Sequence, residues 1–158
     1  MPFSAIPGRA RRSRALGSLS IEFLFLFPMV VGILYAAASY GMVFFSQYRL
    51  QSVVDRAVAT ALYVDRSAYS AAELQNQVEG RASDALNGLL LQQPEPLKSM
   101  SPVDGACGVE SVGGVEMLRC TLTYNYKANP IVPTMSFGML GTFPPMPDEL
   151  KAEAHAAF

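Results

Sequence analysis

The run of 26 residues from Phe23 to Tyr48, which contains no charged side chain, limits most strongly how this chain can fold. As an α-helix the run is about 39 Å long at ~1.5 Å per residue, whereas the hydrocarbon core of a bilayer is about 30 Å thick. Core helices of soluble proteins rarely reach this length without a charge. The run therefore predicts a membrane-spanning helix, in which Pro28 removes one backbone hydrogen bond and predicts a bend.

Basic residues are concentrated before this run, at Arg9, Arg11, Arg12 and Arg14. By the positive-inside rule they predict a cytoplasmic N-terminus, with the residues after about Tyr48 on the other side of the membrane. From Ser18 onward, 8 basic residues face 13 acidic ones. That excess of negative charge does not favour a nucleic-acid partner.

An arginine-rich start followed by an apolar run is typical of a targeting segment, and two cleavage sites fit it. A secretory signal would be cut after Ala38, at the small residues 36–38, and would release a soluble product that begins at Ser39. The apolar run continues past this site, which disfavours it. The second site lies between Gly17 and Ser18.

A basic leader, Gly17, Glu22 in the fifth position after it, Phe23 and then an apolar helix follow one another here. This order resembles the processing motif of type IV prepilins in the form used by the Tad (tight adherence) pilus, and the chain resembles the TadE-like (TadE/TadF) pseudopilins. The resemblance implies that a prepilin peptidase, a membrane aspartyl protease, cuts between Gly17 and Ser18. The expected parts are a leader over 1–17, a membrane helix over 18–48 and an extracytoplasmic domain over 49–158.

Physical reasons support the residue types at this motif. Gly17 has no Cβ and can adopt the backbone conformations that a protease needs. Glu22 is costly at the head of an apolar helix, so it is a functional candidate by default. We expect it to pair with the new amino group of Ser18, in its own subunit or in a neighbour.

Two amphipathic helices are predicted after the membrane segment. The first continues the anchor and carries an apolar stripe with helical spacing: Leu50, Val53, Val54, Ala57, Val58, Ala61 and Leu62. The second begins at Ser70, where Glu73 completes a capping box, and ends before Pro94.

Alternating apolar and polar residues from Leu118 to Tyr126 predict a half-buried strand, and Gly113-Gly114 before it predicts a two-residue hairpin turn. With that turn, residues whose numbers sum to 227 face each other, which places Cys107 opposite Cys120 at a non-hydrogen-bonded position. Such positions lie within disulfide range, so we expect a cross-strand disulfide, in keeping with an oxidising compartment.

The remaining segments leave alternatives open. Residues 129–147 are rich in proline and glycine but apolar, so they either pack on the sheet, which we favour, or present Ile131, Met135, Phe137, Met139 and Phe143 to a partner. The run 150–158 fits a helix by composition and a strand by alternation, and the resemblance favours a strand. The expected fold is α+β and pilin-like: a long helix, a second helix and a small antiparallel sheet with a hairpin.

The leading functional hypothesis is a structural one, a minor pilin or pseudopilin of a Tad-type pilus in the bacterial inner membrane. The resemblance implies other pilins and the inner-membrane assembly platform as partners. His155 stands alone and no hydrolase, zinc-protease or phosphate-loop motif is present, so we expect no catalytic residues, metal or cofactor. The alternatives are a membrane-anchored enzyme or binding domain, and the secreted protein cut after Ala38.

Overall fold

The computed structural model describes residues 16–99, 105–136 and 138–158, without the side chains of 16–20, 105, 106 and 140. The chain divides into two compact units, Met1–Ala37 and Ala38–Phe158. In the described ranges two α-helices are followed by five strands, which confirms the α+β expectation. The elements are α1 (Leu16–Ala61), α2 (Ala71–Leu90), β1 (Gly105–Val112), β2 (Val115–Asn125), β3 (Met135–Ser136), β4 (Thr142–Phe143) and β5 (Glu149–Ala157).

The first unit contains the beginning of α1, and the second contains its C-terminal part together with the rest of the fold. α1 ends at Ala61, one residue before the end of the predicted apolar stripe at Leu62. The last turn tightens there, because the amides of Leu62, Tyr63 and Val64 each bond the carbonyl three residues back. Asp65 then caps a short 3₁₀ helix by accepting a hydrogen bond from the Ser67 amide at 3.0 Å.

α2 starts where the capping box predicted. The Glu73 carboxylate accepts hydrogen bonds from the Ser70 hydroxyl (2.7 Å) and the Ser70 amide (3.1 Å), and these two bonds lower the pKa of Glu73. One face of α2 is buried at a regular spacing of four residues: Val78, Ala82, Leu86 and Leu90.

The main sheet has the strand order β1-β2-β5, and both pairs of neighbours are antiparallel. The β1-β2 register is the predicted one, with Val112 opposite Val115 and Cys107 opposite Cys120. Gly113 and Gly114 make the turn with φ of 63° and 83°, a conformation in which a Cβ would be strained.

The structure defines the end of β2 and shows which element the C-terminal run forms. β2 ends at Asn125, so Tyr126 lies in the following turn although its ring remains buried. The C-terminal run is a strand, β5, as the resemblance favoured over a helix. Leu150 and Ala152 point to the core in β5, while Lys151 and Glu153 face outward.

The core of the second unit lies where α1 and α2 cover one face of this sheet. Leu50, Val54 and Ala57 of α1 are fully buried, as are Leu118 and Leu122 of β2. The predicted α1 stripe therefore packs as expected over residues 50–61. Leu62, just beyond the helix, is only half-buried.

The segment between β2 and β5 both packs and protrudes. Val132 and Pro144 are buried, and Ile131 packs against the core, as the sequence analysis favoured. Met135 and Met139 are exposed instead, because β3 and β4 form a small hairpin that leaves the sheet. Phe137 lies outside the described residues.

The predicted disulfide joins Cys107 and Cys120 across β1 and β2, with their Cα atoms 4.1 Å apart. Both half-cystines are buried among the core residues. The bridge therefore holds the hairpin together at the level where the helices cover it.

We expect the double variant Cys107→Ala with Cys120→Ala to lose about 3 kcal/mol of unfolding free energy, the value typical of a bridge that closes a loop of roughly this length. Chemical denaturation of the detergent-solubilised chain, followed by circular dichroism, measures the loss. A reducing agent should destabilise the wild type to a similar degree and leave the variant unchanged. Equal denaturation midpoints for the oxidised wild type and the variant would contradict a stabilising role.

Candidate functional site

The predicted processing segment lies in the first turns of α1. The helix begins at Leu16, so the peptide bond between Gly17 and Ser18 has helical backbone. Glu22 is exposed and is the seventh residue of α1, outside the first turn. It becomes the fifth residue only after a cut at Gly17, so the dipole argument applies to the processed chain. The leader arginines Arg9, Arg11, Arg12 and Arg14 lie outside the described residues.

The part of α1 that belongs to the first unit exposes its large apolar side chains from Ile21 to Leu34. Phe23, Leu24 and Phe25 are each about two-thirds exposed or more, and the Phe23 and Phe27 rings stack with centroids 5.5 Å apart. No residue from 21 to 37, the range of this unit whose side chains the structure describes, is buried. Apolar surface of this extent is unfavourable in water at roughly 25 cal/mol per Å².

This surface has the length and composition of a membrane span. The helix from Ile21 to Ala61 contains an 18-residue window with a mean hydropathy of 2.1, none of which is buried in the structure. Pro28 lies inside the helix, and the bend that we expect there stays a prediction. Among the described residues, one helix is therefore long and apolar enough to cross a bilayer.

Packing of α1 against its own domain begins at Ser39, inside the segment assigned to the membrane from sequence. Ser39, Val43 and Ser46 are buried on one side, and the Ser46 hydroxyl donates to the Met42 carbonyl at 2.9 Å. On the other side Met42 and Phe44 are more than half exposed. The same stretch of helix therefore contacts the domain with one face and offers an apolar surface with the other.

Two glutamines of α1 bind the outer edge of β5, which is an edge strand of the main sheet. The Gln51 amide donates to the Glu153 carbonyl at 2.8 Å and accepts from the Glu153 amide at 3.4 Å. Gln47 donates to the Lys151 carbonyl. The Gln51 side chain thereby takes the place of a neighbouring strand, which satisfies backbone groups that an edge strand leaves open.

Sequence reasoning missed these glutamines. Their signal is the spacing of four residues between Gln47 and Gln51, two uncharged polar side chains beside an apolar stripe. Such spacing places them on one helix face, but it does not reveal the strand that they meet, more than a hundred residues away.

A cluster of charged residues lies on the exposed face of the sheet. Arg119 of β2 contacts Glu153 of β5 at 2.7 Å and Glu110 of β1 at 3.6 Å, and His155 bonds Glu153 at 2.8 Å. Desolvation alone would raise the pKa of Glu153, but the hydrogen bond from His155 and the charge and hydrogen bond of Arg119 lower it. These exposed pairs join three strands, and each contributes little to stability.

The other surfaces offer little for chemistry. Across the ranges that the structure describes, no group of three or more His, Cys, Asp or Glu residues is arranged to hold a metal ion. An open groove of about 480 Å³ lies between α1 and α2, and Arg56 is the one charged residue in its described lining. Such a lining lacks the paired titratable groups that acid–base catalysis uses.

A comparison with models of known protein families gives a match on the long helix α1. Residues 17–59 match the family model described as TadE-like protein. The match confirms the resemblance, begins at Gly17 and runs almost to the end of α1. The TadE-like family implies a component associated with the Tad pilus, with a structural role and no known enzyme activity. Neither a curated protein nor a solved structure matches the chain.

We expect Gln51→Ala to expose the backbone of β5. The variant loses hydrogen bonds to both backbone groups of Glu153, at a net cost of about 1 kcal/mol in unfolding free energy. The Glu153 amide should exchange its hydrogen faster, and its protection free energy should fall by a similar amount. Gln77→Ala, at an exposed glutamine of α2, is the control and should leave this exchange rate unchanged. An unchanged rate in Gln51→Ala would show that the side chain does not protect the strand.

Proposed function

We propose that this protein is a minor pilin or pseudopilin of a Tad-type pilus, anchored by α1 in the bacterial inner membrane and processed by a prepilin peptidase between Gly17 and Ser18. One observation carries the proposal: the TadE-like match begins at Gly17 and lies on an unbroken helix whose large apolar side chains are exposed from Ile21 to Leu34. A helix of this kind needs lipid or other apolar helices around it.

The proposed function assigns successive roles to α1. The leader is removed, and residues 18–48 remain as the anchor of a mature chain that begins at Ser18. The Glu22 carboxylate then lies close to the helix N-terminus, where it pairs with the amino group of Ser18, either its own or that of an adjacent pilin. Pairing removes much of the cost of a charge at the edge of the bilayer.

The proposed orientation places the N-terminus in the cytoplasm and the α+β domain in the periplasm or at the cell surface. The four leader arginines support it through the positive-inside rule. The disulfide between Cys107 and Cys120 agrees with it, because such bridges persist in oxidising compartments. The partners are other pilins and the assembly platform of the inner membrane.

The two alternatives have weaker support. A secreted protein cut after Ala38 would break α1 in its middle, just before Ser39 and Val43, which pack against the domain. An anchored enzyme would need a site with convergent reactive groups, and the described surfaces offer an open groove and solvent-exposed ion pairs instead.

Replacing Gly17 with Phe should block processing, because the bulky side chain obstructs the peptidase at the residue before the cut. The measurement is N-terminal sequencing of protein recovered from the membranes of the native host. The wild type should start at Ser18, and the variant should retain the leader. Gly32→Phe is the matched control: nothing lies within 4 Å of its added Cβ, so this variant should also start at Ser18. A wild-type start at Ser39 in a soluble fraction would overturn the proposal.

Glu22→Gln should leave membrane insertion intact and impair piliation, because the amide cannot neutralise the amine of Ser18. Resistance to carbonate extraction measures insertion, and electron microscopy of cells that carry the variant measures piliation. Glu79→Gln, at an exposed carboxylate of α2, removes the same charge elsewhere and should assemble normally. Full piliation with Glu22→Gln would argue against the pairing role of this carboxylate.

A further inference from the structure

An uncharged segment projects from the main sheet between β2 and β5. Residues 128–147, here called the apolar lobe, contain no charged side chain over 20 positions. Lys127 and Asp148 close the base of the lobe: the Lys127 amide donates to the Asp148 carbonyl at 3.1 Å, and their side chains lie 3.9 Å apart. The nearest charges in sequence therefore sit together at the boundary of the lobe.

The inner side of the apolar lobe is fixed to the domain. The Tyr124 hydroxyl donates to the Asn129 carbonyl at 2.6 Å, and the Val132 amide donates to the Tyr126 hydroxyl at 3.3 Å. Val132 and Pro144 are buried. The lobe is thus a packed part of the fold and not a polar linker.

The outer side of the apolar lobe exposes large apolar side chains. Met135 of β3 is 50% exposed and lies opposite Phe143 of β4, which is 38% exposed. Met139, in the loop between these strands, is completely exposed. Flexible methionines and a phenylalanine in a segment that has no charged residue of its own match the acyl and headgroup boundary of a lipid bilayer better than they match water.

A hydrogen bond to α1 shows which part of this helix the apolar lobe lies beside. The Tyr40 hydroxyl donates to the Pro145 carbonyl at 3.0 Å, within the second unit. A span needs about 20 apolar residues, and every stretch of that length between residues 23 and 48 includes Tyr40. The lobe therefore contacts a residue of α1 that any placement of the bilayer keeps inside the span or at its edge.

We infer that the apolar lobe is a second membrane contact, which docks into the leaflet nearest the domain beside the point where α1 leaves the bilayer. The inference rests on the anchoring part of the proposed function and goes beyond it, since a single-helix anchor requires no contact between domain and lipid. Docking removes Met135, Met139 and Phe143 from water. It also limits the tilt of the domain relative to the membrane surface.

Fluorescence quenching by brominated lipids tests this contact, because the chain contains no tryptophan of its own. Three single-tryptophan variants of the full chain are reconstituted in phosphatidylcholine vesicles brominated near the carbonyl ends of the acyl chains. Met139→Trp reports on the lobe, Phe27→Trp on the anchor, and Val112→Trp, beside the hairpin turn at the other end of β1 and β2, on the distal domain. All three positions are exposed apolar side chains that tolerate the larger ring.

We expect Met139→Trp to lose most of its emission in brominated vesicles relative to unbrominated ones, and to emit further to the blue than Val112→Trp, which should keep its emission. Quenching of Phe27→Trp with no quenching of Met139→Trp would overturn the lobe contact and leave anchoring in place. A blue shift of Met139→Trp without quenching would also overturn it, since the lobe would then be covered by a second copy of the chain. Absence of quenching in Phe27→Trp would refute the anchoring itself, and the lobe contact with it.

Discussion

The structure depends on α1, a continuous helix that is exposed over its first part and has one face buried in the domain over its later part. In the described part of the first unit the large apolar side chains of α1 are exposed, whereas from Ser39 onward one face of the helix is buried in the domain. Both arrangements follow from the hydrophobic effect, since lipid and a protein core each remove apolar surface from water. Because α1 continues without a break through Ala38, the helix that can cross a bilayer also contributes residues to the domain core.

The other elements of the domain are arranged around the part of α1 that belongs to the core. The β1-β2-β5 sheet has one apolar face, which needs a cover, and the stripe on α1 together with the buried face of α2 supplies it. The disulfide and the two-glycine turn hold β1 on β2, and β5 joins the other side of β2. The charged face of the sheet, with Arg119 and Glu153, is left to solvent.

Local features of the sequence predicted much of this arrangement. Two glycines with positive φ define the β1-β2 turn, so the pairing of Cys107 with Cys120 could be derived by counting residues. The capping box at Ser70 and Glu73 likewise located the start of α2. The contacts of Gln51 with Glu153 and of Tyr40 with Pro145 could not be derived in this way, because they join residues more than a hundred positions apart. Helical spacing predicts which face of the helix a residue occupies, but it does not predict which part of the chain covers that face.

The Gln51 contact has a consequence for how copies of this chain can associate. An open strand edge invites another chain to extend the sheet, which is a common route to uncontrolled fibres. At β5 that route is closed from within, because a side chain of the helix already occupies the hydrogen-bonding positions of Glu153. A strand of another copy could therefore pair with β5 at Glu153 only after displacing the Gln51 side chain.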